Sequence, residues 1–411
     1  MKVSTLPQTQ SRKPRVNQTV ADLPPSGIRR FFDLVVSRQG VISLGVGEPD
    51  FVTPWHICEA GIHSLESGRT SYTSNSGLLA LREEIAQYLE ATTGNWYDPV
   101  KEILITVGAS EAVDLIFRTL LEPGDEVIVI DPSFVAYPAL VTLAGGIPVR
   151  IATRPEYGFA PRREDLDRAV SPRTRALMLN YPNNPTGAAL SRDQIEEIAD
   201  FVTRNDLILI SDEIYLPLTY EGDPISFASL PALRNHLVLL HGFSKAWAMT
   251  GWRLGFAAGP PDLIAAMTKI HQYAIMCPPT MAQHAAVEAL KNGHKEVESM
   301  RLEYDRRRRF ISHHLNRMGL TCMIPQGAFY VFPSIQSTGL SSQEFAERLL
   351  DEYNVAVVPG TAFGECGEGY IRCSYATSLD ALREALRRIE AFVTDHRSTT
   401  GETNPPPFRE P

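Results

Sequence analysis

The sequence predicts an α/β protein: a large domain on a mostly parallel central sheet between helices, plus a smaller α+β domain. Three observations predict it. Short apolar runs without strict alternation recur between residues 102 and 242, as expected of strands covered on both faces. Segments with apolar residues at helical spacing lie between several of these runs, the alternation that builds a parallel sheet. After residue 300 the texture changes to a long charged helix followed by short strands and further helices.

Residues 1–25 are polar and proline-bearing and read as a flexible arm. "EILITVG" (102–108) is a buried strand leading into the helical "ASEAVDLIFRTLL". "GDEVIVI" (124–130) is a second strand, followed by a helical "YPALVTLAG" and the strand "IPVRIA". "TRALMLNYP" (174–182), "DLILISDE" (206–213) and "HLVLLHG" (236–242) are further strands, the second preceded by the helix "SRDQIEEIADFVTRN". "LGFAAG" reads as one more. The smaller lobe carries "CMIPQGAFYVFPSI", a helix, "VAVVPG", "YIRCSYA" and a closing helix over 378–394. The polar, proline-rich end (396–411) is expected to be disordered.

At 411 residues, 44% hydrophobic and 21% charged, the chain can fill a sizeable core. Lys plus Arg number 39 against 48 Asp plus Glu, a net charge of −9, which argues against nucleic acid or an anionic membrane as partner. The basic run "RRRR" at 306–309 reads as the solvated face of a helix. The five cysteines are odd in number and never spaced C-x-x-C, so neither a disulfide framework nor a zinc site is expected and a reducing cytoplasm fits. The first 25 residues lack the apolar core of a signal peptide, and no stretch has the length of a membrane span. A soluble cytoplasmic protein is expected.

In such sheets the loops at the carboxyl ends of the strands carry the site. Gly108–Ser110, the turn 132–137, Asn180–Gly187, Asp212–Tyr215 and Ser244–Lys245 all fall there. Free N–H groups of Gly108, Ala109 and Ser110 at a helix start suit a phosphate. No Gly-Lys-Ser/Thr follows, so this is no P-loop, and "LGVG" (44–47) lacks the third glycine of a dinucleotide fingerprint. Asp212 at a strand end reads either as a cap or as a buried anion holding a cation, because an unpaired charge there is costly. Asn184 could donate to a ligand oxygen, and Tyr215 could present its hydroxyl to the same cavity. Lys245 lies in "HGFSKAWAMTGWRLG" with apolar and aromatic residues on both sides, either as a surface group or as a pocket lysine. Arg253, and Arg372 in "YIRCSY", read either as edge residues with packed stems or as anion clamps.

Together, "SKAWAMTGWRLG", "SDEIY", "YPNNPTG", "TVGASEA" and "IRCSYA" resemble the class I pyridoxal-phosphate (PLP) aminotransferases of fold type I, from about Ser26 to the last helix. Within that family "SYTSNSGLLALRE" and "AMTGWR" are most similar to the bacterial and archaeal aspartate and aromatic branch. The resemblance implies that Lys245 binds PLP covalently and shuttles the substrate proton, while Asp212 pairs with the pyridine nitrogen. It implies that Tyr215 and Asn184 bond the phenolic oxygen and that Phe134 stacks on the ring. The phosphate would take Ala109 and Ser110 N–H groups, Ser244, Arg253 and, from a neighbouring subunit, Tyr72. Arg372 would clamp the substrate carboxylate beside Gly47. A homodimer with shared active sites follows from Tyr72; the resemblance also implies a small domain (26–50 and 304–395) that closes on a large PLP-binding domain (51–303), with Ser26–Ile28 at the gate.

The implied reaction is transamination between an L-amino acid and a 2-oxo acid, first aspartate or glutamate with 2-oxoglutarate or oxaloacetate. Aromatic, diaminopimelate-type and kynurenine-type donors are alternatives, as is a C–S β-lyase on the same fold. The family's DNA-binding regulators carry an N-terminal domain for which about 25 residues are too few. Two positions depart from the pattern. Gly242 stands where many relatives have serine three residues before the lysine, and no position matches the second arginine of the animal-type aspartate enzymes. An acidic side chain would need another cation or polar groups such as Asn75.

Overall fold

The computed structural model describes residues 15–25, 27 and 38–396. The chain's first strand, β1 (Ile42–Ser43), belongs to the smaller lobe. The large sheet follows: β2 (Ile103–Thr106), β3 (Glu126–Asp131), β4 (Ile147–Ala152), β5 (Thr174–Asn180), β6 (Ile208–Asp212), β7 (Leu237–Gly242) and β8 (Gly255–Ala258). Its spatial order is β2-β8-β7-β6-β5-β3-β4, parallel throughout except for β8, which runs antiparallel to both neighbours. The expectation of a mostly parallel sheet holds.

The apolar runs do not alternate because both faces are covered. Ile128, Ile130, Leu177, Leu179, Leu209 and Leu239 point into one buried cluster. Their sequence neighbours Val127, Val129, Ala176, Met178, Ile210 and Leu240 point into the other, the two-residue period of a strand. The edge strand β4 is the most exposed of the large sheet, and it tolerates Pro148 because it lies at the edge.

The smaller lobe adds β9 (Tyr330–Val331), β10 (Val355–Ala356), β11 (Val358–Pro359) and β12 (Ile371–Ser374). β1 pairs with β10, and β11-β12-β9 form an antiparallel sheet. Its core joins Leu44, Phe345, Leu349, Val355, Ile371, Leu382 and Ile389 to Ile311 and Leu315 of the long helix His294–Arg317. Ile214 and Tyr215, just after β6, pack into this same cluster, so the loop carrying Asp212 is held between the lobes. The long helix crosses the boundary expected at 304 without a break.

Within the segment expected as an arm, Gln18–Asp22 forms a short helix capped by the Asn17 side chain. The closing helix spans Leu379–His396. Residues 1–14, 397–411, Ser26 and Ile28 lie outside the described residues, so most of the arm, the tail and the gate do too. Among the described residues no helix is long and apolar enough to cross a membrane, and no His/Cys/Asp/Glu group could hold a metal.

The reading of "RRRR" as a solvated face needs correction. Four consecutive helical residues point in four directions, and this helix is covered on one side. Arg306 and Arg309 are exposed, but Arg307 and Arg308 are buried. Arg307 donates to Asp50 at 2.8 Å and Glu303 at 2.9 Å. Arg308 reaches Asp305 at 2.7 Å, Glu221 at 2.8 Å and the Pro325 carbonyl at 2.5 Å. Arg308→Ala leaves the Pro325 carbonyl without its donor and the space of a buried side chain unfilled, so it is expected to cost roughly 2 kcal/mol. Arg309→Ala should cost less than about 0.5 kcal/mol. Urea unfolding of the two variants beside the wild type measures the difference.

Candidate active site

The five loops converge as expected. A cleft of about 320 Å³ is walled by Gly47, Ala109, Ser110, Phe134, Asn184, Asp212, Tyr215, Ser244, Lys245, Arg253 and Arg372, among others.

Lys245 follows β7 in a segment whose apolar members are buried: Phe243, Ala246, Trp247, Met249 and Leu254. Trp247 also donates its indole N–H to the Ala289 carbonyl at 3.0 Å. These anchors fix the backbone and leave the lysine facing the cleft, where Nζ donates to the Gly47 carbonyl at 2.6 Å. Burial pushes its amine down to about 8; Arg372 and Arg253 push the same way, while Glu48 and Asp212 oppose.

Asp212 ends β6 and is buried. It accepts from the Tyr137 hydroxyl at 2.8 Å and the Ile214 N–H at 3.2 Å. Burial raises its carboxyl to about 6 against these bonds and the nearby Lys245. The Asn180 amide donates to the Asp212 carbonyl at 2.8 Å, and its oxygen accepts the Asn184 N–H at 3.1 Å, which ties the Asn-Pro turn to β6.

Arg372 enters from β12 in the other lobe. It donates to Asn184 Oδ1 at 2.9 Å and to the Gly45 carbonyl at 2.6 Å, and its Nε is buried without a partner. Its guanidinium lies 4.4 Å from the centre of the Tyr330 ring. The Tyr330 hydroxyl shares a 2.8 Å hydrogen bond with that of Tyr215.

The helix Gly108–Leu120 starts at the cleft. Gly108 has φ +76°, and a Cβ there would stand 2.8 Å from the Arg253 guanidinium. Gly255 is required for a different reason: a Cβ would meet the Ala109 nitrogen at 2.6 Å. The helix's first N–H groups lack intrahelical acceptors and gather beside a cation, an arrangement suited to a dianion.

Phe134 meets Tyr137 edge-on at 5.6 Å. Tyr72 is not in the wall; it is 77% exposed on the surface of its own chain. The Asn75 amide is committed to the Met276 carbonyl at 2.8 Å. Sequence reasoning missed Tyr137, Tyr330 and Asn180. Tyr137 lies in the turn 132–137 that was placed at this edge, but nothing local shows that its hydroxyl meets a carboxylate 75 positions later.

The sequence profile of the family described as "Aminotransferase class I and II" matches residues 39–389. The chain belongs to that family. It is 47% identical over 378 residues to an aspartate aminotransferase of Pyrococcus abyssi, covering 91% of this chain and 97% of that one. An aromatic-amino-acid aminotransferase of Thermococcus litoralis is 46% identical over 376 residues, again covering 91% and 97%. The solved aspartate aminotransferase of Thermus thermophilus with maleate superposes with a TM-score of 0.88 at 40% identity, covering 92% of this chain and all of that one.

The enzyme is thus an aminotransferase whose lysine amine, lowered to about 8, begins to lose its proton near ordinary pH. A protonated amine does not attack a carbonyl, so Lys245, lowered from 10.5, gains reactivity up to about pH 8 and little above it. Capture of Lys245 by a small aromatic aldehyde, followed by mass spectrometry, should rise about tenfold per pH unit below 8 and then level off. A rise continuing towards 10.5 would mean that the amine is solvated.

Proposed function

We propose that this aminotransferase works with PLP and moves the amino group of aspartate or glutamate to 2-oxoglutarate or oxaloacetate. The observation that supports it most is the buried Lys245 amine, which shares one cleft with the Asp212 carboxylate and the Arg372 guanidinium. The residues present fit the cofactor: a helix start whose Gly108 would lose its close approach to Arg253 on gaining a Cβ, a buried carboxylate for a pyridinium, and an amine with a lowered pKa.

PLP, when bound, supplies an electron sink for the carbanion formed at the substrate Cα. Lys245 Nζ would hold the cofactor, and its amine would carry the substrate's Cα proton. Asp212, oriented by the Tyr137 hydroxyl, would pair with the pyridine nitrogen and keep a proton there. Tyr215 and Asn184 bond the phenolic oxygen, and Phe134 covers the ring. Ala109, Ser110, Ser244 and Arg253 hold the phosphate. Arg372, with its Nε free and its guanidinium beside the Tyr330 and Phe363 rings, would grip the substrate carboxylate beside Gly47. Of the segments 26–50 and 304–395, the described residues 27, 38–50 and 304–395 would belong to the lobe that closes over 51–303.

A second reading, an aromatic donor, draws on a specific feature. Among the described residues lining the cleft the cations are Lys245, Arg253 and Arg372, all committed, while Phe134, Tyr215 and Tyr330 offer ring faces. Absorbance between the visible and near-ultraviolet, recorded as L-aspartate, L-glutamate or L-phenylalanine is added to the PLP-loaded enzyme, separates the two. A productive donor moves the visible band into the ultraviolet, and pyruvate release without an acceptor would instead indicate a lyase. Arg372→Lys, which replaces a fork by a point charge, is expected to lower kcat/KM for every donor roughly 100-fold. An unchanged kcat/KM would remove Arg372 from the site.

The same reading takes the working form to be a homodimer. Val52, Trp55, Tyr72, Tyr273 and Met276 are all exposed, and the segments bearing Tyr72 and Met276 are joined by the Thr280–Ser71 and Asn75–Met276 hydrogen bonds. Such a concentration of large apolar side chains suits a partner surface. Tyr72, absent from its own cleft, would serve the partner's phosphate. Sedimentation should return twice the chain mass, and Tyr72→Phe should weaken PLP binding about tenfold. A monomer with unaltered PLP affinity in Tyr72→Phe would contradict both.

A further inference from the structure

A pair outside the cleft, the buried His271 and the partly buried Glu111, has no part in the roles above. His271 is 0% exposed in the helix Pro261–Ala274. Its Nδ1 lies 2.7 Å from Glu111 Oε1, and its Nε2 is buried without a partner. Glu111 is in the first turn of the helix that starts at Gly108, and its other oxygen accepts the Val107 N–H at 2.5 Å. On the other side, the Thr106 hydroxyl donates to the Gly108 carbonyl at 2.9 Å. The strand-to-helix turn is therefore held at both ends of the Val107–Gly108 unit, one of them by a carboxylate that the imidazole alone orients from a second helix. A carboxylate accepting a backbone N–H here acts as a cap, leaving the N–H groups of Gly108, Ala109 and Ser110 for an outside anion.

We infer that His271 and Glu111 are positioning residues for the phosphate: His271 fixes Glu111, Glu111 fixes the Val107 amide, and the cup at Gly108–Ser110 keeps the shape that a phosphate monoester needs. This inference rests on the proposed binding of PLP at that helix start. It differs from a general stabilising role because it concerns only the phosphate end of the ligand.

The full-length chain, freed of ligand, is titrated with PLP, with pyridoxal, which lacks the phosphate, and with inorganic phosphate as competitor. Glu111→Ala and His271→Ala are each expected to weaken PLP and phosphate about tenfold, the size of one lost cap, with pyridoxal affinity unchanged. The double variant should be no worse than either single one, since the residues form one chain of contacts. His271→Asn, which keeps a donor near the Nδ1 position in a smaller side chain, should recover most of the PLP affinity, and guards against a folding defect in His271→Ala. Equal loss of PLP and pyridoxal affinity, or PLP affinity within twofold of wild type in both single variants, would overturn the inference. A wild-type chain that binds neither PLP nor phosphate would instead overturn the underlying reading of the cleft.

Discussion

Taking an amine and a guanidinium out of water is the constraint on which the cleft is built, because an ion in a dry interior either finds partners or gives up its charge. Lys245 does the second in part: burial lowers its amine to about 8, with the cations Arg372 and Arg253 nearby adding to the effect. Arg372 cannot lose its proton and so finds acceptors, Asn184 Oδ1 and the Gly45 carbonyl, and an aromatic face in Tyr330. Asp212 gains a hydroxyl and a backbone N–H, yet burial still raises it to about 6. Each charge is held short of full satisfaction, which leaves it able to respond to a charged ligand.

That arrangement needs rigid support from both lobes. The loop after β6 sends Asp212 towards the cleft and Ile214 and Tyr215 into the core of the smaller lobe. The Tyr215–Tyr330 hydroxyl pair and the Arg372–Asn184 bond join the lobes directly at the site. Further out, Arg307 links the long helix to Asp50 in the segment that carries Gly47. Gly47 in turn accepts from Lys245. The basic run that reads as surface decoration is thus half structural, because two of its four members turn inward to acids supplied by remote segments.

Much of this was legible beforehand. The buried parallel strands could be read from apolar runs because coverage on both faces removes the polar alternation. The loop residues could be read because a strand end followed by Asp-x-x-Tyr, Asn-Pro-Thr-Gly or a Gly-Ala-Ser helix start has a restricted chemistry. The cleft gathers Ala109, Ser110, Asn184, Asp212, Lys245, Arg253 and Arg372 from five separate segments. Contacts between segments were not legible. Tyr137 and Asp212 lie 75 positions apart, Glu111 and His271 160, and Arg372 and Gly45 327. Local pattern carries no information about which side chain from a distant loop will complete a hydrogen bond.

The sequence by itself determined the alternation of strands and helices, the family, and the residue types that the chemistry requires, since all three depend on local period, turn geometry and motif. The tertiary structure alone decided which charges are buried and what each one meets. Lys245 is an unusual amine only because apolar neighbours anchor its loop and a second lobe covers it. Tyr72, prominent in the sequence motif, stays exposed on the surface of its own chain, outside the cleft lining. Burial and partnership are sums over segments distant in sequence, and they exist only once the chain has folded.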